Sequence, residues 1–193
     1  MKRIINILLS LTIILALVGC QKNEEIDYVD SSIRSTENEI PITTKEGVSD
    51  IYLCELYIKV LEDLWNVDPG LNNEISQIGI DLSELSNLTD DQKDYVMSHF
   101  ASKHNLPYIV GTWEELCEHG YIDKENLIWE DGLFFSIKTN EDAIKADSEN
   151  LEYTSFDAHK WRGGLGVYFF GQCIASKNAD GTWSYTVGQE AIA

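Results

Sequence analysis

From Gly164 the chain alternates, and both phases of the alternation are apolar. Leu165, Val167, Phe169, Cys173 and Ala175 fall on one side, Tyr168, Phe170 and Ile174 on the other. A two-residue period is that of an extended strand. A strand that is apolar on both faces needs cover on both, so it is expected at the centre of a sheet or in a sheet curved around its own core. Asn178-Ala179-Asp180-Gly181 then turns the chain into a last strand with Trp183, Tyr185 and Val187 on one face. Just upstream, Leu127-Ile128-Trp129 and Leu133 to Ile137 flank Glu130-Asp131-Gly132, which reads as a hairpin around an Asp-Gly turn. Between these strands, Thr139 to Glu152 is acidic and without period, and is expected to be an exposed loop.

The period is different earlier in the chain. Leu53, Leu56, Val60, Leu61 and Leu64 recur at helical spacing, widened by Cys54, Ile58 and Trp65, with Ser49 or Asp50 placed to cap the first turn. The expected helix runs from about Asp50 to Trp65 and is stopped by Asp68-Pro69-Gly70. Ile78, Ile80 and Leu82 alternate as a short strand or extended connector. Thr89-Asp90-Asp91-Gln92 and Thr112-Trp113-Glu114-Glu115 each place a hydroxyl three residues before a Gln or Glu, the signature of a capping box. They open helices from about Asp90 to Lys103 and up to His119, with Tyr108-Ile109-Val110 a brief strand between them. Helices first and strands afterwards predict an α+β fold: helices packed on one face of a mostly antiparallel C-terminal sheet, in a single domain over residues 49–193.

The N-terminus is of another kind. Lys2 and Arg3 precede an apolar run from Ile4 to Val18, and Leu17-Val18-Gly19-Cys20 is followed by polar Gln21-Lys22-Asn23. A positive start, a short apolar stretch and a small residue before the break is the order of a secretion signal, and the run falls short of the about 20 apolar residues that span a bilayer. Leu17-Val18-Gly19-Cys20 resembles the lipobox of bacterial lipoproteins. That resemblance implies cleavage after residue 19, a diacylglyceryl and fatty-acyl (palmitate-type) anchor on Cys20, and a place on the extracytoplasmic face of the cell membrane. Each buried methylene contributes about 0.8 kcal/mol, so two chains hold where one is marginal. Residues 20–48 are polar and charged, a tether whose flexible part spans roughly 30 Å. The helix-then-strand order is loosely similar to cystatin-like and NTF2-like folds and to small lipoproteins of Gram-positive bacteria.

Charge narrows the partners. The net charge is -19, and loss of Lys2 and Arg3 with residues 1–19 makes it -21. Such a field repels nucleic-acid phosphates and anionic headgroups, so no nucleic acid is expected and membrane contact is left to the lipid on Cys20. The expected partner is a protein, peptide or small-molecule ligand.

Candidate chemistry is sparse. Beyond Cys20, the cysteines Cys54, Cys117 and Cys173 are odd in number; one disulfide is possible outside the cell, but their places in helices and a strand favour three buried thiols. Cys117-Glu118-His119 lies within one helical turn, yet residues two apart on a helix point about 200° away from each other, so no catalytic pair is expected. His99 and His104 miss the i, i+4 register of a metal pair; His99 lies on an apolar stripe and reads as a core imidazole. The acidic stretch Asn140 to Glu149 lacks the order of a calcium loop, and Gly163-Gly164-Leu165-Gly166 precedes a strand where a phosphate loop would open a helix, so its glycines serve a bend. Neither metal nor cofactor is implied.

One segment stands out in so acidic a chain. In Asp157-Ala158-His159-Lys160-Trp161-Arg162, three basic side chains surround an indole, a combination that binds carboxylates or stacks on planar groups. His159, Lys160, Trp161 and Arg162 are the ligand-binding candidates, with Trp129, Tyr168, Trp183 and Tyr185 as walls at a sheet mouth. The competing reading is internal, with Lys160 and Arg162 paired to acidic neighbours and the aromatics filling the core. An envelope hydrolase is the alternative activity; it requires Asp157 to stand about 5 to 10 Å from Glu130 or Asp131.

Overall fold

The structure, a computed structural model, describes residues 45–140, 145–146 and 152–192. Cys20, the tether up to Thr44 and most of the acidic stretch after Asn140 lie outside the described residues. Helix α1 (Lys45–Asn66) begins a turn before the expected Asp50, so Ser49 and Asp50 lie within it and the fold starts inside the predicted tether. Its stripe buries Leu53, Leu56, Tyr57, Val60, Leu61 and Leu64. It ends where Asp68 takes a left-handed conformation (φ 42°) before Pro69, which opens a short 3-10 turn (Pro69–Asn72).

The alternation at Ile78 is a true strand, β1 (Gln77–Asp81), and it is interior. It pairs in parallel with β2 (Tyr108–Val110) on one side and with β3 (Gly132–Thr139) on the other. Between them come α2 (Asp90–His104) and α3 (Trp113–Glu118), and both predicted capping boxes are present. In the first, Gln92 N donates to Thr89 Oγ1 at 3.4 Å and Thr89 N to Gln92 Oε1 at 2.7 Å. In the second, Glu115 N donates to Thr112 Oγ1 at 3.2 Å and Thr112 N to Glu115 Oε2 at 2.8 Å.

Antiparallel strands complete the sheet: β4 (Lys145–Ala146), β5 (Glu152–Gly163), β6 (Gly166–Lys177), β7 (Trp183–Thr186) and β8 (Gln189–Ile192). The order is β2-β1-β3-β5-β6-β7, with β4 on β5 and β8 beside β7 on β6. The α+β class with a mostly antiparallel sheet holds, but two local expectations do not. The 127–137 hairpin is absent: β3 starts at Gly132 itself, and residues 127–131 form a loop whose Trp129 indole lies under that glycine, where a Cβ would come within 1.9 Å of the ring. The predicted 139–152 loop is invaded from both ends, Lys145 and Ala146 pairing with Tyr153 and Glu152. Residues 152–163, unassigned from sequence, form a long central strand.

β6 shows why both of its phases were apolar. Phe156 faces Cys173 and Ala158 faces Phe170, so one residue of β5 opposes two of β6, Gly171 and Gln172. At this bulge Gln172 takes φ 51° and its N–H donates to Asp157 Oδ1 at 2.8 Å. The side-chain phase shifts there, so Tyr168, Phe170, Cys173 and Ala175 all face the same core. Leu165, 97% exposed, sits at the tip of the β5–β6 turn.

The two faces are covered unequally. α1 and α2 pack on one, over Ile78, Ile80, Leu133, Phe135, Ile137, Phe156 and Ala158. α3 and the loop after it cover the β2-β1-β3 end of the other and reach Trp161 on β5, gathering Ile109, Leu116, Ile122, Trp129 and Phe134. The expectation of helices on one face therefore fails for α3. Gly79 permits this second layer, since a Cβ there would meet Leu116 and Trp129 within 3 Å. Among the described residues no helix is long and apolar enough to cross a membrane.

Candidate binding cleft

Strand β5 splits the basic cluster by alternation. Thr154, Phe156, Ala158 and Lys160 turn to the helix-backed core, and Asp157, His159 and Trp161 to the opposite face. Lys160 is fully buried. Its ammonium donates to the carbonyls of Trp65 (3.2 Å), Val67 (2.7 Å) and Asp68 (3.2 Å). These carbonyls lie in the last turn of α1 and just past it, where the helix dipole also favours a cation, and three acceptors match three donors. Burial lowers the Lys160 pKa to about 8, against the pull of the Asp68 carboxylate.

Arg162 does similar work a turn further on. Nη1 donates to Leu71 O (2.9 Å) and Asn73 O, and Nη2 to Glu130 O (2.7 Å). Both cations are thus committed internally, to backbone carbonyls and not to the acidic side chains expected, and Lys160 is out of a ligand's reach. His159 and Trp161 stay half-buried on the other face. His159 packs on Phe169 with ring centroids 4.6 Å apart, and Trp161 meets Trp113 edge-on at 5.8 Å. Burial, then the nearby Lys138, lowers the His159 pKa, with Asp157 opposing.

The proposed aromatic walls do not converge. Trp129 belongs to the cluster under α3, whereas Tyr168, Trp183 and Tyr185 belong to the core on the other side of the sheet. Tyr168 donates to Glu190 at 2.7 Å and Tyr185 to Asp63 at 2.6 Å. The carboxylates of the hydrolase reading are also apart. Trp129 N donates to Arg162 O at 2.8 Å, which sets Glu130 and Asp131 beside residue 162. Five residues of strand separate that point from Asp157, about 16 Å at 3.3 Å per residue. Asp131 is instead engaged by Ser76 Oγ at 2.8 Å.

The other candidates resolve individually. Cys54, Cys117 and Cys173 are thiols and none is in a disulfide; burial raises Cys117 and pushes Cys173 to about 12, away from the reactive thiolate. His119 ends α3, with Nδ1 2.7 Å from Glu115 O. His99 is exposed beside Tyr95, contrary to the expected core imidazole, because α2 turns Val96, Met97, Phe100 and Ala101 inward. His104 stacks on Trp65 at 3.8 Å and bonds Glu62 at 3.1 Å. Among the described residues no three His, Cys, Asp or Glu side chains gather as a metal site.

A cleft appears where sequence reasoning placed none. β1 leads into α2 on one face of the sheet and its neighbour β2 leads into α3 on the other. Parallel neighbours whose chains depart to opposite faces leave a crevice beyond their carboxyl ends. Here it holds a cavity of about 460 Å³. Leu82 and Met97 form its apolar floor, with Val110 at one wall, 53% exposed. Asp81, Asp90, Asp94 and Glu115 ring it together with a single cation, Lys93, whose Nζ reaches Ser83 O at 3.4 Å. The signals were in the sequence: a short strand, a capping box, a second short strand and a second capping box, which is a β-α-β-α order. A larger hollow of about 540 Å³ beside α1 is lined by Lys59, Asp63 and Tyr185, which are bonded to one another.

No family model, curated protein or solved structure matches this chain.

Proposed function

We propose that the chain is a membrane-anchored extracytoplasmic lipoprotein whose folded domain binds a partner and does not carry out a reaction. The address rests on the order Lys2-Arg3, Ile4 to Val18, Gly19 and Cys20, and on the polar residues that separate Cys20 from α1. The single observation that carries the binding reading is the crevice at the carboxyl ends of β1 and β2, the place in a parallel sheet where ligands are received. Burial holds Cys117 and Cys173 away from the reactive thiolate, and Asp157 stands about 16 Å along the strand from Glu130 and Asp131, which favours binding over the hydrolase reading. His159 and Trp161 on the partly covered sheet face offer a second contact, while Lys160 and Arg162 act as the internal supports of that strand.

Fractionation of cells expressing the full chain tests the address. Cys20→Ala is expected to move the protein from the membrane to the soluble fraction, and mass spectrometry of the unaltered protein is expected to show a chain starting at a lipid-modified Cys20. Retention of Cys20→Ala in the membrane, or an intact leader on the native protein, overturns the anchor.

A further inference from the structure

The crevice lies beside an open sheet edge. β2 pairs only with β1 among the described residues. Ile78 N donates to Pro107 O and Gly111 N to Ile80 O, so the bonding groups of residues 107, 109 and 111 face inward. In a parallel ladder the alternate residues point their backbone the other way, which leaves the N–H and C=O of Tyr108 and Val110 for an added strand. Val110 carries an exposed isopropyl group at the same place.

We infer that this edge and its crevice dock a basic, extended protein segment, which adds to β2 as a strand and lowers a lysine or arginine side chain into the cavity. The chemistry fits on three counts. Backbone pairing to an edge gives affinity without sequence, and alternate side chains then select it. The stem of a long basic residue is aliphatic and suits Leu82, Met97 and Val110, while its charged head reaches the rim. Four carboxylates against one ammonium make the rim complementary to a cation, and a chain of net charge -19 adds long-range attraction. Lys93 is the one like charge in the way and sets an upper limit on affinity. The inference deepens the binding reading and does not depend on the lipid anchor.

The test uses the full chain in detergent micelles and a blocked peptide of alternating lysine and valine, with affinity measured by calorimetry. A Glu-Val peptide of equal length, cadaverine, and a Lys-Val peptide N-methylated at alternate residues serve as comparisons. The Lys-Val peptide is expected to bind. Asp94→Lys is expected to weaken it about tenfold or more, roughly 1.4 kcal/mol, and Lys93→Gln to tighten it several-fold, with melting temperatures unchanged. N-methylation is expected to cost about tenfold or more through the lost ladder bonds. Cadaverine binding as tightly as the peptide would overturn the edge-strand half, and equal binding of the Glu-Val peptide, or indifference to Asp94→Lys and Lys93→Gln, would overturn the whole. None of these outcomes bears on whether Cys20→Ala leaves the membrane.

Discussion

Two lysines, Lys160 in the antiparallel half of the sheet and Lys93 in the parallel half, show how differently the two regions use charge. Lys160 sits in the most conspicuous basic cluster of the chain and is fully buried, with all three donors on carbonyls at and just past the end of α1. Lys93 sits in an unremarkable capped helix and has one 3.4 Å contact at the edge of an open cavity. Residues that look chemical in sequence hold the antiparallel half together, and residues that look like ordinary helix signals surround the cleft. Chemical type does not separate support from site. Position in the sheet does.

The contrast is most directly broken at Lys160. Lys160→Met keeps the stem and removes the ammonium, leaving Val67 O without its donor at about 1 to 3 kcal/mol, while Trp65 O keeps Asn72 Nδ2 and Asp68 O keeps the Leu71 N–H. Unfolding in denaturant is expected to show a loss of about 1 to 3 kcal/mol. A loss below about 1 kcal/mol would mean that the cation is dispensable and the cluster free for another role. The same group gives a pH signature. With a folded pKa of about 8 and an ordinary value of 10.5, the unfolded chain holds a proton through this window that the folded chain has released. The unfolding free energy is therefore expected to rise with pH from about 8 towards 10.5 and to lose that rise in Lys160→Met. Cys173 and Tyr57, both raised by burial to about 12, work in the opposite direction above about pH 9 and pH 10 respectively, so the slope is best read between about pH 8 and 9.

Gly132→Ala is expected to cost about 1 to 3 kcal/mol, since its methyl would occupy the place of the Trp129 ring and push the loop off the sheet. Loss of near-ultraviolet dichroism from the displaced indole is the accompanying measurement. The smallest change belongs to the cleft: Lys93→Gln is expected to leave stability within about 0.5 kcal/mol of the original. A cost comparable to that of Lys160→Met would erase the difference between the two regions.

These same residues explain what could be read in advance. Helix α1 followed from its leucines, and α2 and α3 from capping boxes that are local in sequence and therefore fully written there. β5 did not, because Asp157, His159, Lys160 and Arg162 mask its two-residue period. Lysine on the core face makes sense only once the carbonyls at and just past the end of α1, more than ninety positions away, are in place. The phase shift in β6 depends on a bulge fixed by Asp157 across the strand pair. Gly132 promised a turn and proved to be room for an indole. The cleft was written as a β-α-β-α succession, but each part is short, and the direction of β1 relative to its neighbours is a property of the assembled sheet.

The contact between Lys160 and the end of α1 has a mechanical meaning. α1 is the first element among the described residues, so tension entering at Lys45 travels down its axis before it reaches any of the described strands. At its far end and just past it the chain is clamped by three bonds from Lys160 of β5 and is not simply resting on a greasy surface. Peeling the helix away requires those bonds to part together with the packing around them, so the load spreads into the sheet through its centre while the β2 edge and its crevice keep their shape.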